Sequence, residues 1–229
     1  MVSEDTIQRS IEWFRSRMGN ITGSKVADIM KSGRKKDEIF SDTAKSYLFQ
    51  IAGERIFNPE FIKDDDIFQD YIDQVNVTTK AMQWGTEQEG EAKKLWVSVN
   101  FPDGDIVELS SCKHDTIPHF AASPDGAIYD TDGTFRIVEV KCPNINTYMK
   151  YRLLIHDAAS LKETEPKYYW QMMAEMSCTG AKSGIFITYN PWLSAPLHSA
   201  EIERVEEDIK LMEERVVLAN QFIEEIINQ

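Results

Sequence analysis

The stretch Ser123-Pro124-Asp125-Gly126, with thirteen residues separating Asp125 from Glu139-Val140-Lys141, constrains this 229-residue chain more than any other. Asp-Gly marks a turn, and the β-branched run Val138 to Val140 reads as a returning strand. Side chains at i and i+2 of a strand share a face, so Glu139 and Lys141 point the same way. An acid at the bend of the hairpin then meets an acid and an ammonium from the strand. Two carboxylates suit a hard divalent cation such as Mg²⁺, which takes oxygen ligands and leaves positions to water and phosphate. The lysine could activate water or neutralise charge on that phosphate. The plainer reading is a solvated Asp-Gly bend with an ordinary cross-strand charge pair, and the stretch alone leaves both open.

Composition narrows the setting. With 42% hydrophobic and 28% charged residues, the chain reads as one globular unit, 1–229, able to bury a core without disulfide or metal staples. No apolar run approaches a membrane span, and the opening Met1-Val2-Ser3-Glu4-Asp5 lacks the character of a signal peptide, so a cytosolic protein with no membrane partner is expected. Cys112, Cys142 and Cys178 are odd in number and widely spaced, which argues against a disulfide framework, a zinc site or an iron–sulfur cluster. The net charge of −13 argues against a generic nucleic-acid coat. Residues 1 to 36 nevertheless carry eight bases and four acids, a local excess of +4 that includes the run from Lys31 to Lys36. That end is a candidate phosphate-facing surface or an ordinary solvated one.

In chain order, Ile7, Ile11, Trp13, Phe14 and Met18 predict an amphipathic opening helix. Ile21-Thr22-Gly23-Ser24 precedes a second helical pattern, with Thr22 or Ser24 as its N-cap and Arg17 just upstream. A helix runs from Phe40 to Ile56, after which Asp64, Asp65 and Asp66 read as a solvated turn, since successive side chains share no face. Thr86 and Glu89 are spaced as a capping box for a helix through Trp96. Glu89 is thereby either a cap or a third acid for the hairpin. Strands are expected over 106–112, 119–122, 127–129 and 135–140, then a helix over 144–159 and another opened by Pro166 and closed by Gly180. On this last helix Gln171 and Glu175 form a polar stripe one turn apart. A strand over 185–189 and one over 200–205 precede a final helix. Its seam of Ile209, Met212, Val216, Ala219, Ile223 and Ile226 fits packing on the body or on another subunit. The fold class is α/β, with a central mixed sheet flanked by helices.

Asp125 with Glu139-Val140-Lys141 resembles the PD-(D/E)xK nuclease signature. The flanking words Trp13…Arg17-Met18-Gly19, Ile21-Thr22-Gly23-Ser24, Trp84-Gly85…Glu89, Ser123-Pro124-Asp125-Gly126, Lys141-Cys142-Pro143 and Tyr169-Trp170-Gln171 resemble the YqaJ-like viral recombinase family. This is the phage lambda exonuclease-like branch of the superfamily, and the words occur in its order. Met173 departs from the pattern, because relatives often have a second glutamine there.

The resemblance implies a restriction-endonuclease-like core and a Mg²⁺- or Mn²⁺-dependent exonuclease. It would degrade duplex DNA ends 5′→3′ and leave 3′ single strands for recombination. It further implies a homotrimer ring threaded by DNA, and a single-strand annealing protein as partner. By position, Asp125 and Glu139 would hold metal with the Val140 carbonyl, Lys141 would activate water, and Glu89 would complete the acidic site. Arg17, Ser24, Ser123 and Gln171 would hold the terminal 5′ phosphate. A PD-(D/E)xK endonuclease would instead cut closed circles, and a non-catalytic recombination protein would bind DNA without metal-dependent turnover.

Overall fold

Ser10 opens the first helix by accepting the Trp13 N–H at 3.2 Å, so α1 (Ile11–Arg17) starts on a side-chain cap. This structure, a computed structural model, describes residues 8–35, 38–76, 79–131 and 133–229. Residues 1–7, with Ile7 of the expected opening helix, together with Lys36 of the basic run, lie outside the described residues. Gly19, at φ +72°, turns the chain into β1 (Ile21–Thr22), which feeds α2 (Gly23–Ile29). Thr22 takes the N-cap position, but its side chain makes no capping bond and lies 3.4 Å from the Tyr47 hydroxyl. Ser24, the second residue of α2, is not the cap either.

Next, α3 (Asp42–Arg55) buries Ala44, Leu48, Ile51 and Ala52 at helical spacing. The aspartate run is a helix start rather than a turn. After α4 (Pro59–Lys63), Asp64 accepts the N–H groups of Asp66 and Ile67 at 3.1 Å, and α5 (Asp65–Val75) follows. Acids in a first turn also complement the positive end of the helix, so no shared face is needed. Helix α6 (Lys80–Asn100) starts at Thr79, which accepts the Met82 N–H. Thr86 therefore lies inside it, donating to the Met82 carbonyl, and forms no capping box with Glu89.

The strand expected over 106–112 is reduced to a Val107–Ala127 bridge and β2 (Cys112–Lys113). Its buried positions, Ile106, Leu109 and Ser110, do not alternate, so the segment presents no single face to a sheet. β3 (Phe120–Ala122) lies between β1, parallel to it, and β2, antiparallel. A second, mixed sheet has the order β4 (Gly126–Tyr129), β5 (Phe135–Lys141), β6 (Ser183–Tyr189), β7 (Leu197–Glu203), with β5 and β6 parallel. The β5–β6 crossover carries α7 (Ile145–Leu154), α8 (Ala158–Thr164) and α9 (Pro166–Thr179). The single helix expected over 144–159 breaks because Asp157 and Ser160 form a capping box that starts α8. Gly180, at φ +76°, ends α9 as expected.

The two faces of β5 serve two layers. Ile137 packs toward α9, in one core with Met172, Met176 and Phe186. Val138 and Val140 pack toward Ala92 and Trp96 of α6. The final helix, α10 (Glu206–Ile227), buries Ile209, Met212, Val216, Ala219 and Ile223 in the first core, so its seam packs on the body. Mixed sheets flanked by helices are the architecture expected from the sequence. Among the described residues no helix is long and apolar enough to cross a membrane.

Candidate active site

Strand alternation puts Glu139 and Lys141 on the α9 face of β5 with Ile137. Asp125 stands one residue before β4, at the open end of the hairpin. The bend lies at the other end, where the Asp130 N–H bonds to the Thr134 carbonyl at 2.9 Å, which corrects the expected placement. Register explains the difference. Gly126 pairs with Val138, so the chain before it passes the end of the ladder, and the Asp125 side chain accepts the Val140 N–H at 2.8 Å. Glycine is required at 126, since a Cβ there would come within 2.4 Å of Ile106 Cγ2. The Val140 carbonyl leaves β5 on the same edge as its N–H, beside Asp125.

The group is electrostatically tight. Glu139 is 0% exposed, and its Oε1 takes both the Lys141 ammonium and, at 2.7 Å, the Gln171 amide. Lys141 also lies 4.0 Å from Asp125 Oδ2. Burial, then the neighbouring Glu139, pushes the Asp125 carboxyl up to about 6. Burial alone would lower the pKa of Lys141, but Glu139 and Asp125 outweigh it, so the side chain is held as an ammonium.

Glu175 joins this group although the sequence assigns it no role. It is 1% exposed, accepts from Gln171 Nε2 at 2.9 Å, and is pushed well above the carboxylate range by burial and by Glu139. Its one-turn spacing from Gln171 was the available signal. The sequence likewise assigns no role to Lys93. Its ammonium donates to the Asp125 carbonyl at 2.6 Å and pairs with Glu89 at 2.7 Å, an i,i+4 pair on α6. Glu89, which Arg9 also approaches at 3.6 Å, is thus joined to Asp125 through Lys93 rather than facing it.

Arg17 gathers two of the other expected residues. Its guanidinium donates to Ser123 Oγ at 2.9 Å and Ser24 Oγ at 3.4 Å, and lies over the Trp13 ring at 4.2 Å. Among the described residues no carboxylate lies within ion-pair distance of it. Burial lowers its pKa, partly offset by Tyr47 and Glu175, and an arginine so placed remains charged. Gln171 is not in this cluster; both its hydrogen bonds go to the buried acids.

Glu139 Oε2 is buried without a hydrogen-bond partner among the described residues. With the raised Asp125 carboxyl and the Val140 carbonyl beside it, this donor set fits a hard divalent cation. No three His, Cys, Asp or Glu side chains gather as a cage among the described residues. Mg²⁺ needs only one or two carboxylates, with water and substrate completing its shell.

Residues 12–182 match the YqaJ-like viral recombinase domain. The crystal structure of an alkaline exonuclease, LHK-Exo, from Laribacter hongkongensis is similar at a TM-score of 0.73 and 26% identity, over 96% of this chain and 95% of that one. The same values hold for LHK-Exo in complex with dAMP. A phage related exonuclease from Haemophilus somnus 129PT shares the fold at a TM-score of 0.61 and 19% identity, over 91% and 95% of the two chains. No curated protein matches by sequence. The restriction-endonuclease-like core expected above is the fold of these neighbours. Because the matched span takes in every word on which the resemblance rests, from Trp13 to Gln171, the chain belongs to the YqaJ-like viral recombinase family.

Proposed function

We propose that this protein is a metal-dependent exonuclease that digests double-stranded DNA 5′→3′ from its ends. The 3′ single strands it leaves would enter recombination by strand annealing. Family membership and the names of the similar structures, an alkaline exonuclease and a phage related exonuclease, support a DNA exonuclease. The dAMP held by LHK-Exo is a nucleoside monophosphate, the class of product such an enzyme releases.

One observation carries the end-directed part. Ser123, bonded to Arg17, and Asp125, bonded to β5, are two residues apart, so at most about 7 Å of chain joins a cationic pocket to the acids. A terminal phosphate on Arg17, Ser24 and Ser123 would present the next part of its strand to Asp125 and Glu139. Arg17 suits this role because its planar fork matches phosphate and no carboxylate competes for it among the described residues.

Asp125, Glu139 and the Val140 carbonyl would hold the cation, Mg²⁺ or Mn²⁺. When bound, such an ion polarises a phosphoryl oxygen and makes water a nucleophile near neutral pH. Lys141 would orient the attacking water and balance charge on the phosphate. Gln171 would fix the rotamer of Glu139, a positioning role in addition to the phosphate contact its family position implies. Glu89 would act on the site through Lys93, which it holds against the Asp125 carbonyl. The working form proposed from family membership is a homotrimer ring acting beside a single-strand annealing protein.

The test is digestion of linear duplex bearing 5′ phosphate or 5′ hydroxyl, and of closed circular duplex, with Mg²⁺ or chelator. Linear DNA should be degraded only with metal, faster from 5′-phosphorylated ends, while circles stay intact. Equal attack on circles would make the protein an endonuclease, and DNA binding without turnover would make it non-catalytic.

A further inference from the structure

The stripe of α6 that packs on the second sheet, Ala92 and Trp96, continues at the same four-residue spacing to Gln88 and Trp84. Trp84 is five positions before Glu89, roughly 7.5 Å along the helix axis. Trp192 meets it. The two indole rings are stacked, with centroids 6.0 Å apart and planes 10° from parallel.

Trp192 belongs to the loop that leaves β6 at the end where Lys141 leaves β5, since Lys141 pairs with Thr188. The loop is firmly built. Buried Asn190 donates to the Pro143 carbonyl at 2.9 Å and accepts the Trp192 N–H at 3.2 Å, and the Tyr148 hydroxyl donates to the Ala195 carbonyl at 2.7 Å. Pro143 is two residues beyond Lys141. A rigid loop pinned beside the candidate catalytic strand therefore holds out a tryptophan that stays 72% exposed, although one face rests on Trp84.

Core packing does not account for a large aromatic left this open on a well-anchored loop. A flat π face next in a stack accepts any nucleobase without reading its edge, which is what a nuclease indifferent to sequence requires. We infer that Trp192, backed by Trp84, is a stacking platform for an unpaired DNA base at the mouth of the active site. The inference rests on the exonuclease reading and adds a contact to the base where that reading supplies only contacts to phosphate.

The test measures binding of a labelled 5′-phosphorylated single strand in chelator, so that no turnover occurs. Base-bearing DNA and DNA with abasic units in its first few positions are compared. Trp192→Ala should weaken binding of base-bearing DNA by about 5- to 100-fold. Trp192→Phe should stay within about threefold of wild type, and on abasic DNA wild type and Trp192→Ala should coincide. No loss in Trp192→Ala, or an equal loss on abasic DNA, would overturn the inference. A changed mass of Trp192→Ala in sedimentation would also overturn it, assigning the face to contact between copies. Wild type that degrades no linear duplex with Mg²⁺ defeats the exonuclease reading itself. Wild type that degrades it while Trp192→Ala binds normally defeats only the platform.

Discussion

Burial and Glu139 push the Asp125 carboxyl up to about 6, so at neutral pH the metal-free fold keeps an anion where its environment opposes one. The native pKa lies above the unfolded one, and the folded state therefore binds more protons between about pH 4 and 6. Stability from this group is present below that window and is lost as pH rises through it. Asp125→Asn keeps an oxygen for the Val140 N–H and removes the charge. It should stabilise chelator-treated protein at pH 7.5 by about 1–3 kcal/mol while abolishing cleavage. Thermal melts in chelator check this, and a lower melting temperature for the variant would contradict it. Arg17→Ala should erase most of the rate advantage of 5′-phosphorylated over 5′-hydroxyl ends, and Arg17→Lys should restore little of it, because an ammonium lacks the fork. An unchanged ratio of the two rates would remove Arg17 from end binding. At this scale Glu139 and Lys141 were legible from strand alternation alone. The meeting of Arg17 with Ser123, 106 positions away, was not, because it depends on the tertiary fold bringing the segment before β4 to the end of α1. Only family resemblance pointed to it. Glu175 shows the opposite case, with its spacing from Gln171 visible but its burial against Glu139 decided by tertiary structure.

Among elements, α9 brings Gln171 and Glu175 to β5, and its approach to the sheet is set by a small residue. A Cβ at Gly184 of β6 would stand 2.6 Å from Ile137 Cγ1 and 2.8 Å from Met172 Cε. Gly184→Ala should cost about 1–3 kcal/mol, read as a lower denaturant midpoint, and should reduce cleavage by displacing the helix that holds Gln171. A variant with unchanged midpoint and turnover would show that the layer has slack. The elements whose ends are set by backbone chemistry were legible, such as α9 between Pro166 and Gly180, as was the seam of α10. Starts were harder where two caps compete. Thr79 and Thr86 both suit an N-terminus, and the Thr86–Glu89 spacing mimics a box that the helix overruns. At α8 the box uses Ser160 in place of the usual glutamate or glutamine, so a break inside an apolar pattern went unmarked.

For the whole molecule, a net charge of −13 and a role on DNA are compatible when positive charge is local. On the proposed reading Arg17 would meet phosphate, whereas Lys93 is balanced by Glu89 and Lys141 by Glu139. A protein so arranged would bind ends far better than duplex interiors, which is the behaviour end-directed digestion needs. The most direct measurement follows a linear 5′-phosphorylated duplex labelled separately at the 5′ and 3′ ends of one strand, with Mg²⁺. With the partner strand's 5′ end blocked, the predicted result is early release of the 5′ label as mononucleotide, late loss of the 3′ label and an intact partner strand at mid-reaction. Lys141→Ala should be slower by a factor of 10² or more while still binding the duplex. Early loss of the 3′ label, or near-normal turnover by Lys141→Ala, would contradict 5′→3′ digestion through this site.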